Sequence, residues 1–94
     1  MIVGTLTLHI QLPGCTSLKE KRSRIKPLLA RLRREFNIST AETDLNDRWQ
    51  EAKVVCAQVS NDAAFLERSL DTVLKFTEEH FPDLYILEHH IQFL

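Results

Sequence analysis

Apolar and polar residues alternate from Ile2 to Leu12. Ile2, Leu6, Leu8, Ile10 and Leu12 share one parity; Val3, Thr5, Thr7, His9 and Gln11 share the other. A period of two is that of a half-buried strand, and Pro13-Gly14 ends it with turn chemistry. The period then changes. Ser17 followed three residues later by Glu20 is a capping box. Beyond it Leu18, Ile25, Leu28, Leu29, Leu32 and Phe36 recur at helical intervals, an apolar stripe about 100° wide. Pro27 falls inside this helix and deprives the Ser23 carbonyl of its N–H partner. It lies opposite the stripe, where water can take that carbonyl, so the expectation is one bent helix rather than two helices.

Ile38 to Asp44 is rich in β-branched residues and predicts a second strand; Leu45 to Arg48 forms the hairpin connection. Gln50 to Ser60 follows as a third strand, apolar on both faces from Val54 to Val59 as a central strand should be. Ser60-Asn61-Asp62 then caps a second helix that runs through about His80. Leu66, Leu70, Val73, Leu74 and Thr77 form its inward face, Pro82 stops it, and Leu84 to Leu94 is the last strand. The order βαββαβ predicts one α+β ferredoxin-like domain over residues 1–94. Right-handed crossovers place its four antiparallel strands in the order 4-1-3-2, with both helices on one face.

Composition adds limits. With 44% hydrophobic and 27% charged residues, the chain has the makeup of a soluble globular domain. No apolar run reaches the roughly 18 residues of a membrane span, and the alternating start reads as a strand rather than a signal peptide. Cys15 and Cys56 form no CxxC pair, which predicts free thiols in a reducing cytoplasm.

Charge changes the picture more. Ser17 to Phe36 holds eight Lys or Arg against two Glu, a net +6 in a chain whose total is -1. Lys19, Arg22, Lys26 and Arg33 line one flank of the apolar stripe and Lys21, Arg24 and Arg31 the other; Arg34 completes the set. Two accounts compete. The stems can cover the edges of the core while the heads stay in water, or the heads can neutralise phosphates and release counterions. An ordinary surface helix mixes signs to gain i,i+4 pairs, and here Glu20 and Glu35 are the only acids available.

A sheet that stacks bases needs aromatics on its first and third strands; strand one offers Val3, Thr5, Thr7 and His9, and no aromatic lies between Gln50 and Ser60. There is no GxxG loop either. Any RNA is therefore expected on the helix, held by its backbone. The small and β-branched residues of the open face, Val3, Thr5, Thr7 and His9, are the alternative site, an interface between two copies of the chain.

Catalytic and metal chemistry find little. His9 and His90 share a sheet face near Glu88 but lack a convincing third ligand, so no metal or cofactor is expected. Glu42, Asp44, Asp47 and Glu51 gather at the hairpin, where turn chemistry accounts for them. Trp49 is expected to anchor that hairpin in the core, with Gln50 a hydrogen-bond partner in the same corner. Cys15 follows a turn and is expected to be exposed, with no histidine placed to activate it. The expectation is a non-enzyme without a small-molecule substrate.

Four stretches, MIVGTLTLHIQLPG, SLKEKR, FNISTAETDLNDRWQEA and AQVSND, together resemble the YlxP-like family of small bacterial proteins, a domain of unknown function. The specific part is SLKEKR followed, roughly 30 residues on, by DRWQ. The resemblance spans the chain without an insertion. It implies a ferredoxin-like fold, a cytoplasmic protein and no established activity. Members are often encoded among ribosome-maturation and translation-initiation genes, which implies ribosomal RNA or ribosomal particles as partners.

Overall fold

A computed structural model describes residues 1–94. The elements are β1 (Ile2–Gln11), α1 (Leu18–Glu35), β2 (Ser39–Asp44), β3 (Glu51–Ser60), α2 (Ala63–His80) and β4 (Tyr85–Phe93). They form one antiparallel sheet in the order β2-β3-β1-β4, the expected 4-1-3-2 arrangement. The ferredoxin-like α+β reading holds.

Alternation decides which face of β1 is covered. Leu6, Leu8 and Ile10 of β1, and Leu12 just beyond it, are fully buried beneath the helices, while Thr5, Thr7 and His9 stay half-buried on the open face. Ala52, Val54 and Cys56 of β3 continue this core, and Leu70, Val73 and Leu74 close it from α2. Each fully buried Leu, Ile or Val contributes about 1.5–3 kcal/mol through the area it removes from water.

Helix α1 is uninterrupted, and Pro27 lies on its exposed side. Helix α2 starts from the predicted cap: Asp62 Oδ1 accepts from the N–H groups of Ala64 and Phe65 at 3.0 and 3.2 Å. Its buried residues are Leu66, Leu70, Val73, Leu74 and Thr77, the set the periodicity names.

Two expectations fail. Trp49 is 51% exposed at the hairpin rather than anchored in the core; the strand pairing begins only at Glu51, so the indole sits outside the sheet. Cys15 is fully buried, its Sγ donating to Ser17 O at 3.4 Å. The turn at Pro13-Gly14 folds the chain back under α1 instead of out into solvent, and Gly14 takes the left-handed φ of 74° that this turn requires. Gln50 does serve that corner, donating to Cys15 O at 3.3 Å.

Candidate nucleic-acid interface

Local chemistry fixes where α1 starts. Ser17 Oγ accepts from Glu20 N–H at 3.1 Å, and Glu20 Oε2 accepts from Thr16 N–H at 2.8 Å. The Cys15 thiol and this N–H both favour the Glu20 carboxylate, holding its pKa below the usual value. The one acid of the first turn is thus spent on the cap and does not neutralise the cations that follow.

Those eight cations separate into distinct environments. Lys21 does not belong to an exposed flank: it is 2% exposed, inside the stripe with Ile25, Leu28 and Leu32. Its Nζ donates to Leu45 O at 2.7 Å and lies 2.7 Å from Glu42 Oε2. The Glu42 contact is a close ion pair whose angles fall outside a hydrogen bond, so this buried oxygen is neutralised by the charge without an aligned donor. The reason for the correction is positional. Lys21 stands three residues after Leu18 and four before Ile25, the spacing of the stripe itself. The lysine reaches under the hairpin and holds Leu45, whose φ is 60°, in its left-handed conformation.

Arg24 and Arg31 also have internal partners. Arg24 donates to Pro13 O at 3.0 Å and Asp83 O at 2.9 Å, joining the end of β1 to the segment before β4. Arg31 pairs with Glu35 at 3.0 Å, its guanidinium carbon 5.2 Å from the centre of the Phe76 ring. Both are half-buried.

The opposite flank is different. Lys19, Arg22, Lys26, Arg33 and Arg34 are exposed, and none forms an ion pair. Arg33 donates one bond to Thr40 O, at 2.6 Å, which lays its stem along β2 and leaves its remaining donors outward. Four cations, Lys19, Arg22, Lys26 and Arg33, therefore run along one side of α1 toward β2, with Arg34 at the solvent apex. Neighbours of like charge repel along this row, and an anion laid on it relieves that repulsion.

The open sheet face is mixed, apolar along Val55, Ala57 and Val59 of β3 and in the row of Val59, Val3 and Leu94, and polar toward β4. Thr5 lies between Ala57 and Gln92, Thr7 between Val55 and His90, and His9 between Lys53 and Glu88. His9 Nε2 is 2.9 Å from Glu51 Oε1, and Glu51 Oε2 accepts from Arg48 at 3.0 Å. These two partners, His9 first, hold the Glu51 carboxyl below its ordinary pKa. A shallow depression of about 250 Å³ lies over Thr7, His9, Lys53, Glu88, His89 and His90. No three of the chain's His, Cys, Asp and Glu side chains are grouped to hold a metal ion. No helix is long and apolar enough to cross a membrane.

An α+β sandwich of this topology, with a basic helix flank and no enclosed pocket, is the class that fold and surface define. Residues 3–91 match the pattern of the family described as a protein of unknown function (DUF503), and the chain belongs to that family. It is 38% identical over 68 residues to the uncharacterized protein YlxP of Bacillus subtilis (strain 168), a match covering 72% of this chain and 73% of that protein. Among solved structures, the de novo designed protein Foldit4 is similar in fold, with a TM-score of 0.52 at 17% identity over 99% of this chain and 94% of its own. A likeness at this identity shows the fold alone. It says nothing of function.

Proposed function

We propose that this protein is a non-enzymatic binding module that holds the sugar–phosphate backbone of RNA, on ribosomal particles, against the exposed flank of α1. One observation carries the reading: Lys19, Arg22, Lys26, Arg33 and Arg34 are exposed, lie along one helix and have no carboxylate partner. Backbone contact is favoured over base reading because β1 and β3 present no aromatic to the open face. The arrangement supplies affinity with little sequence preference.

The test is the salt dependence of association with ribosomal particles. Four phosphate contacts from Lys19, Arg22, Lys26 and Arg33 predict a slope of log affinity against log salt of roughly -3 to -4. Changing these four residues to Glu abolishes association while circular dichroism stays that of the wild type, because Ile25, Leu28 and Leu32 hold the helix. Particles that retain the folded four-fold variant as they retain wild type would show the flank to be a solvated face. Lys21, being buried, contributes nothing to the slope.

A homodimer through the open face at Val3, Thr5, Thr7 and His9 draws less support. Gln92, His90 and Glu88 interrupt that face in the rows of Thr5, Thr7 and His9, and only the row of Val59, Val3 and Leu94 is apolar throughout. A second copy has a better seat at the sheet edge.

A further inference from the structure

The sheet has two edges, and they are built differently. Edge strand β2 spans six residues, carries Glu42 and Asp44, and is broken by a register shift between them. Short length, charge and a bulge are the devices by which proteins blunt an edge against pairing. Edge strand β4 runs nine residues, Tyr85–Phe93, without Lys, Arg or Pro; a register shift leaves Leu87 without a partner on β1, Glu88 is its one acid, and from Glu88 to Phe93 its pairing with β1 is regular. Its apolar side chains are open to solvent: Tyr85 58%, Leu87 52%, Phe93 42% and, just beyond, Leu94 72% exposed.

The phase of the ladder says which groups are free. Leu94 and Val3 exchange both backbone bonds, at 2.8 and 3.4 Å. In an antiparallel ladder such pairs alternate, so Gln92, His90 and Glu88 also bond inward to β1. His89, Ile91 and Phe93 turn their N–H and C=O groups outward, where no strand meets them.

We propose that β4 pairs antiparallel with β4 of a second copy, about a two-fold axis at His89, joining two sheets into one of eight strands. Self-complementary hydrogen bonding between side chains selects this occupant and this register. With His89 on the axis, Glu88 stands opposite the partner's His90, and the same contact recurs on the other side of the axis; the exposed Leu87, at the bulge, flanks this contact. The α2 flank above this edge carries both signs, Glu67 and Asp71 beside Arg68 and Lys75. A two-fold axis sets that flank antiparallel to itself, so both signs stand at the seam. A polyanion would meet Glu67, Asp71 and Glu88 instead. The basic flank of α1 lies toward β2, at the far edge, and stays free in the dimer.

Cysteine cross-linking tests the register. His89 and its copy form a hydrogen-bonded pair, whose Cα atoms lie about 5.5 Å apart, inside the range a disulfide spans. His89→Cys should give a disulfide-linked dimer with a mild oxidant, and Gln92→Cys, displaced from the axis, should not. Sedimentation equilibrium on the native chain should show a concentration-dependent dimer, with the amides of His89, Ile91 and Phe93 gaining hydrogen-exchange protection as it forms. His89→Pro removes an outward N–H and Leu87→Lys adds an edge charge; each should leave the folded chain monomeric. The second variant keeps the backbone intact if the first fails to fold. A native chain that stays monomeric at millimolar concentration overturns the proposal. So does a dimer that survives folded Leu87→Lys, or one in which His89→Cys does not cross-link.

Discussion

Replacing Lys21 with Met removes one member of a buried pair and leaves the other in place. Glu42 Oε2 then loses the cation 2.7 Å away and keeps no aligned donor, and Leu45 O loses its hydrogen bond. Breaking a fully buried pair this way costs about 3–5 kcal/mol. The Glu42 side chain is 18% exposed against 2% for Lys21, so water can reach part of the stranded carboxylate. The lower end, about 3 kcal/mol, is therefore the expected loss. For a domain of this length that lowers Tm by about 12–24 °C. Urea titration followed by far-ultraviolet circular dichroism measures the loss, and the double variant Lys21→Met, Glu42→Leu supplies the control. Two apolar residues of similar volume need no charge compensation, so the double variant should regain most of the lost stability. A loss below about 1 kcal/mol for Lys21→Met would be that of an exposed pair and would refute the reasoning. A double variant no more stable than Lys21→Met would refute it equally.

Pro27→Ala restores a backbone bond on the exposed side of an unbroken helix and should stabilise by about 1 kcal/mol or more, read as a rise in Tm; a fall would mean the proline is needed. Gly4→Ala would place a Cβ 3.1 Å from Leu70 Cδ1 and 3.4 Å from Leu66 Cβ, an overpacking that should cost about 1–3 kcal/mol in a urea titration. The Glu51 pKa is lowered by His9 and Arg48, so its contribution to stability is complete above its ordinary value of 4.5 and is lost as pH falls through the lower folded value. Acid titration of Glu51→Gln should accordingly show a shallower loss of stability below that pH than the native chain. Burial pushes both the Cys15 and Cys56 thiols up; both should resist alkylation at mildly alkaline pH until denaturant is added, and fast native labelling of either would contradict its burial.

Periodicity carried the fold because each element here has one buried face. Leu6, Leu8 and Ile10 alternate, Leu66, Leu70, Val73 and Thr77 recur at helical intervals, and all seven are buried. Residue type alone misplaces Trp49 and Cys15. Whether a side chain beside a turn points in or out depends on how the turn is folded back, and that is decided by distant partners such as Gln50 for Cys15. A count of charges along α1 cannot separate a lysine in the stripe from one in water. The signal for Lys21 was nevertheless present. Leu18, Lys21, Ile25, Leu28 and Leu32 follow one another at intervals of three and four, so the lysine fills an apolar position. Glu42 shares its parity on β2 with Thr40, which is buried against Cys56. Two charged residues at two core positions, of opposite sign and on elements that pack together, predict each other. The same logic weighs on function. Once Lys21, Arg24 and Arg31 are assigned to holding the fold, the cations left over number five and share one flank with the solvent apex, a smaller site than the sequence suggested and a more directional one.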